Sequence, residues 1–176
     1  MKFYKALDSV KLKKYSEVNK NQFAITFYSK SEFKSSGLFD KELKKKVSNF
    51  FVDEKRSSLF LSKELTGLKG DFLVLRDFSK DKSEYKKYSW MKGLFANLDK
   101  YAVENAVIYA DTSQLSKDNN FLFDLAKTAE KASYRYTDTN PNTKKELILK
   151  NVTLALENAS AAQKRIVELG YNVGSG

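Results

Sequence analysis

The sequence predicts an α/β domain, a three-layer α/β/α sandwich around a mixed, mostly parallel central sheet. Three observations lead there. The hydrophobic period switches repeatedly between about two and about 3.6 residues, as it does where strands and helices alternate. Two runs, Phe72–Leu75 and Ala106–Ala110, are apolar or aromatic throughout, which fits strands buried on both faces. The 176 residues, 41% hydrophobic and 14% aromatic, suffice for one sizeable core and are too apolar for a disordered chain.

Taken in order, Phe3 to Leu7 reads as the first strand, and the β-branched and aromatic stretch Phe23 to Tyr28 as a clearer one. Asp40 is placed as a helix N-cap. Leu43, Val47, Phe50 and Phe51 follow it at the spacing of one buried helical stripe. Ser58–Leu61 and Phe72–Leu75 are short strands, with a turn expected at Thr66-Gly67-Leu68-Lys69-Gly70 between them. A long helix is expected from Asp81 to Tyr101, with Tyr88, Met91, Phe95 and Leu98 on one face. The strand Ala106–Ala110 then runs into a turn at Asp111-Thr112-Ser113. Asp118 or Asn119 caps the next helix, whose stripe is Phe121, Leu122, Leu125, Ala129 and Ala132. Asn140-Pro141-Asn142 breaks that pattern.

Leu147–Leu149 and Val152–Leu156 form a last extended stretch before a final helix near Asn158. Its stripe is read as Ala159, Ala162, Ile166 and Leu169, and Gly170 as its stop. So narrow and Ala-heavy a stripe predicts a marginal helix unless another body packs on it. The expected organisation is an α/β accessory domain over residues 1–157. Residues 158–176 are then a terminal helix and the start of a linker, Gly174-Ser175-Gly176.

Net charge is +10, from 28 Lys and only four Arg (Arg56, Arg76, Arg135 and Arg165) against 22 acidic residues. A basic chain makes nucleic acid a candidate partner, because neutralised phosphates drive non-specific binding. Base readout and bidentate phosphate clamps favour Arg, however, so a solvated Lys-rich surface is the simpler expectation. Lys44-Lys45-Lys46 is such a surface run on an amphipathic helix. No apolar run reaches the roughly 20 residues that cross a bilayer, so no membrane is expected. Lys5 and Asp8 interrupt the opening segment as no signal peptide would be interrupted, and Cys is absent. Cytoplasm is the expected compartment.

The absence of His and Cys excludes His-based triads, Cys nucleophiles and imidazole or thiolate metal sites. Leu65 to Asp71 lacks the spacing of a phosphate-binding loop, and the dinucleotide fingerprint is missing. Asp77, Asp81 and Asp111, with Thr112 and Ser113, flank strand ends where α/β folds hold ligands, but each also reads as a turn former or helix cap. Arg135, in Tyr134-Arg135-Tyr136, suits a helix C-terminus electrostatically as well as it suits an anion. No catalytic, cofactor-binding or metal-binding residue is assigned.

The stretch Ala126 to Gly170 resembles the end of the N-terminal domain of the leucyl (cytosol) aminopeptidase family. The residues that carry the resemblance are Ala132-Ser133-Tyr134-Arg135-Tyr136, Lys144-Lys145, Val152-Thr153-Leu154 and the Ala-rich segment from Ala159 to Gly170. Upstream, Leu68 to Leu75 looks like the strand these domains place before their first long helix. Tyr136 stands where the family has Phe, and Thr-Asp-Thr-Asn-Pro replaces its Tyr-Lys.

The resemblance implies a macro-domain-like α/β/α domain joined to a C-terminal dizinc peptidase domain in a hexamer. Asp, Glu and Lys ligands there would hold zinc or manganese. The Asn-Thr-Asp-Ala-Glu-Gly-Arg motif of that peptidase domain does not occur in this sequence, so no catalytic residue carries over. The function expected from the resemblance is that of a non-catalytic domain of a metallo-exopeptidase, serving assembly and active-site access. The readings beside it are a free-standing macro-like module that binds a nucleotide such as ADP-ribose, and a basic nucleic-acid-binding domain.

Overall fold

Four nearly continuous apolar runs build the centre of one six-stranded sheet. The computed structural model describes residues 6–28, 40–53, 55–67, 69–76, 84–110, 119–133 and 148–175. Within these the strands are β1 (Ser9–Lys14), β2 (Phe23–Tyr28), β3 (Ser58–Leu61), β4 (Phe72–Arg76), β5 (Asn105–Tyr109) and β6 (Asn151–Leu156). The helices are α1 (Lys41–Phe50), the single turn α2 (Lys63–Thr66), α3 (Glu84–Lys100), α4 (Asn119–Ser133) and α5 (Ala161–Ser175). The sheet order is β1-β6-β5-β2-β4-β3, parallel throughout except for β3, which runs antiparallel to β4. The expected mixed, mostly parallel sheet with helices on both faces is what forms.

Alternation along the strands sorts side chains between two cores. Ile25, Phe27, Leu73, Leu75, Ile108 and Leu154 face α3, α4 and α5. Ala24, Tyr28, Phe72, Val74, Val107 and Tyr109 face α1, where Val47 and Phe51 close the second layer. Leu73, Val74, Val107 and Ile108 are all buried in the sheet centre, as the sequence predicts.

Local chemistry sets the element ends. The Asp40 carboxylate accepts from the Leu43 N–H at 2.8 Å and so caps α1, as expected. Gly67 takes φ +70° to end α2. A Cβ on Gly70 would lie 2.2 Å from the Gln22 carbonyl, so both glycines between β3 and β4 are required. Glu130, fully buried on α4, accepts from the backbone N–H groups of Ala6 and Leu7. The Tyr171 hydroxyl of α5 donates to the Leu7 carbonyl. Together they anchor the segment that leads into β1.

Four expectations need correction. The first described strand is β1 at Ser9–Lys14, not Phe3–Leu7; Leu7 is buried but precedes it, and residues 1–5 lie outside the described residues. Tyr88 points outward on α3, whose buried face is Met91, Leu94, Phe95 and Leu98. The last strand starts at Asn151, with Ile148 exposed before it and Leu147 outside the described residues.

The largest difference is α5. Ser160 and Gln163 form a reciprocal capping pair, so the helix starts at Ala161, after Ala159. It then continues through Gly170 and Gly174 to Ser175. Its buried residues are Val167, Gly170 and Tyr171, while Leu169 is 56% exposed. Gly170 lies so close to α4 that a Cβ would meet the Phe123 carbonyl at 2.4 Å, and one on Gly174 would meet that of Lys127 at 2.6 Å. These glycines are contact points between helices rather than a stop and a linker. The packing that the sequence leads one to expect from another body is supplied within this domain by α4 and the main core.

Candidate functional site

The strand order defines where a ligand crevice belongs. After β2 the chain passes to α1 on one face of the sheet, and after β5 to α4 on the other. The neighbouring strands β2 and β5 therefore flank a topological switch point, outside whose carboxyl ends α/β folds place ligands. Tyr28 of β2 and Tyr109 of β5, near this end, pack into the aromatic core under α1. Thr26 of β2 pairs in register with Tyr109 of β5, and Tyr28 with Arg76 of β4. The Tyr28 ring stacks on Phe51 at 4.7 Å between centroids. Tyr109 meets Tyr15 edge-on at 5.1 Å and stacks on Phe72 at 6.2 Å.

Polar groups at this end serve the framework. Arg76 donates from Nη2 to the carbonyls of Phe51 at 3.0 Å and Asp53 at 2.9 Å, and from Nε to that of Arg56 at 2.9 Å. It thus binds the carbonyls that follow α1, where the helix dipole is negative. The indole N–H of Trp90 on α3 donates to the Arg76 carbonyl at 3.3 Å, and its ring packs on Phe27 at 4.9 Å. Burial pushes the Tyr109 phenol up from its ordinary value, so it stays a neutral donor at physiological pH. Rings packed on one another, a neutral phenol and a carbonyl-bound guanidinium contain no nucleophile–base pair.

Asp77, Asp81, Asp111, Thr112, Ser113 and Arg135 lie outside the described residues. On α1, Lys45 and Lys46 are exposed and Lys44 half-buried, in keeping with a solvated face. Among the described residues no group of three acidic side chains could hold a metal ion. No described helix is long and apolar enough to cross a membrane. Sequence reasoning did not bring Tyr28, Arg76, Trp90 and Tyr109 together; the available signal was an aromatic or basic residue at the last position of β2, β4 and β5. Among the described residues, a cavity of about 400 Å³ lies between β1 and α5 and one of about 240 Å³ between α3, α4 and Leu149, both away from this crevice.

Comparison with known proteins places this architecture. No protein-family model and no curated protein sequence matches the chain. Solved structures do. A macrodomain of Oceanobacillus iheyensis with MES bound superposes with a TM-score of 0.61 at 8% identity, covering 93% of this chain and 89% of the macrodomain chain. The fold is macro-domain-like. The macro domain of ganglioside-induced differentiation-associated protein 2 superposes with a TM-score of 0.57 at 13% identity over 94% of this chain and 86% of that one. A point mutant of tomato leucine aminopeptidase superposes with a TM-score of 0.64 at 12% identity, covering 95% of this chain. The chain spans only 36% of that aminopeptidase. Identities this low establish the macro-domain-like fold and nothing finer.

Proposed function

We propose that this chain is the non-catalytic, N-terminal domain of a leucyl-aminopeptidase-type metallo-exopeptidase, serving assembly and active-site access. The observation that carries the reading is the outer face of α5. Ala162, Ile166, Leu169 and Val173 recur there at helical spacing, with Leu169 56% and Val173 49% exposed. An apolar stripe on the solvent side of a terminal helix suits a companion domain packed against it. The overlap of nearly the whole chain with about a third of an aminopeptidase supports the same reading. Zinc or manganese and the peptide substrate would then belong to the companion domain, in a homo-oligomer.

A second reading has its own support. The chain covers most of the length of two solved macrodomain chains, as a nucleotide (ADP-ribose) binding module would. Against it stand the aromatic packing at the switch point and the commitment of Arg76 to backbone carbonyls. Two assays on the purified chain separate these readings. Under the accessory reading, calorimetry with ADP-ribose gives no stoichiometric heat, and Leu-p-nitroanilide is not hydrolysed with zinc or manganese. Stoichiometric ADP-ribose binding would move the assignment to the nucleotide module. Metal-dependent turnover by this polypeptide would overturn its non-catalytic role.

A further inference from the structure

β1 is an edge strand, with β6 on one side and no strand paired to its other side among the described residues. On β6 the Ala155 carbonyl accepts from the Ala110 N–H at 3.0 Å, so odd-numbered residues of β6 turn their backbone groups to β5 and even-numbered ones to β1. With Val10 opposite Val152, the backbone groups of Ser9, Lys11 and Lys13 face β6, and those of Val10 and Leu12 face outward. The side chains divide just as sharply. Val10 and Leu12 are buried in the core beneath α5, while Lys11 and Lys13 project from the opposite face.

Beside this edge runs a cleft of about 400 Å³, lined along β1 by Asp8 to Leu12 and along α5 by Lys164, Glu168 and Tyr171. Lysines on an edge strand can serve only to repel other strands. A cleft alongside the edge adds something that role does not require. Its β1 wall is five residues long, the length of a short extended peptide.

We propose that this cleft receives an extended acidic peptide, which joins the sheet as a further strand on the outer edge of β1. The alternation of β1 dictates the alternation of its partner. Residues beside Lys11 and Lys13 carry carboxylates, because opposite charges across a strand pair attract. Residues between them are small and apolar and turn toward α5. A second copy of the chain fits less well, since antiparallel pairing of β1 with itself brings Lys11 and Lys13 against the same lysines. The net charge of +10 adds to that repulsion. This inference stands apart from the proposed function, because its cleft lies on the sheet edge and not at the switch point.

The test uses the whole chain and a fluorescein-labelled Asp-Val-Glu-Val-Asp peptide, read by anisotropy and by amide exchange at Val10 and Leu12. Saturable binding is expected, weakening with salt and slowing exchange of those two amides. Of two further peptides, N-methylated either at both valines or at the three acidic residues, the one that loses the N–H groups facing β1 should fail to bind. Lys11→Glu with Lys13→Glu should weaken binding about tenfold or more and transfer it to a Lys-Val-Lys-Val-Lys peptide. Absence of saturable binding would leave the lysines as guards of the edge and overturn the proposal. So would equal binding of both N-methylated peptides, or concentration-dependent protection of the two amides without peptide, which would name a second copy as the occupant.

Discussion

Replacing Gly170 by Ala separates close helix packing from helix propensity, because the two act with opposite signs. In a helix interior, Gly→Ala ordinarily stabilises by about 1 kcal/mol. At Gly170 the added Cβ would lie 2.4 Å from the Phe123 carbonyl oxygen and 3.2 Å from the Ala126 Cβ. Ordinary contact begins at 3.4 Å, and the obstacle is helix backbone, which cannot rotate away. Helices α4 and α5 must therefore separate by much of an ångström, loosening Val167 and Tyr171 as well. Overpacking costs about 1–3 kcal/mol, and a contact this short with helix backbone takes the upper part of that range. About 2–3 kcal/mol less the propensity gain of about 1 leaves a net loss of about 1–2 kcal/mol. For a chain of this size that lowers Tm by about 2–8 °C. Gly93 in α3 is the control, exposed and with nothing within 4 Å of its added Cβ. Gly93→Ala should stabilise by about 0.5–1 kcal/mol. Urea denaturation of both variants reads the two signs directly. A Gly170→Ala protein as stable as the parent, or more so, would refute the close approach of α4 and α5.

Other perturbations test other parts of the structure. Truncating Ile108 to Ala in the centre of the sheet should cost about 2–5 kcal/mol by the same denaturation, and a loss under about half a unit would make β5 peripheral. Arg76→Lys keeps the charge but loses the planar fork that holds three carbonyls. It should cost about 1–3 kcal/mol, and unchanged stability would show that those bonds do not hold the segment after α1. Tyr109 and Tyr171 should ionise late in an absorbance titration. Burial raises both, and the Glu130 and Asp8 carboxylates add to the shift at Tyr171. A raised folded-state value means that the associated stability is complete below the unfolded phenol value of about 10 and is lost as pH rises through the folded one. Tyr171→Phe should remove one late phenol, and a titration without late phenols would contradict the burial.

The sheet was legible wherever strands are buried on both faces. Phe23–Tyr28, Phe72–Leu75 and Ala106–Ala110 announce themselves as continuous apolar or aromatic runs, because neither side meets water. β1 was hidden by the opposite circumstance. An edge strand with only Val10 and Leu12 buried among three lysines leaves little hydrophobic signal. The true face of α5 was unreadable for a third reason. Two of its contact residues are glycines, which add nothing to an apolar count, so the periodicity selected the exposed Ala162 and Leu169 and the half-buried Ile166. The switch-point end of the sheet needs the strand order, since Tyr28, Arg76 and Tyr109 are brought together only by register across three strands.

The accessory-domain reading is tested most directly by the intact mass and activity of the native polypeptide that carries this sequence. An antibody raised against the folded domain would retrieve it from its source cells. The expected product is a chain well beyond the 20.2 kDa of this domain, hydrolysing Leu-p-nitroanilide in a zinc- or manganese-dependent way. A native polypeptide of 20.2 kDa, inactive on that substrate, would contradict the account.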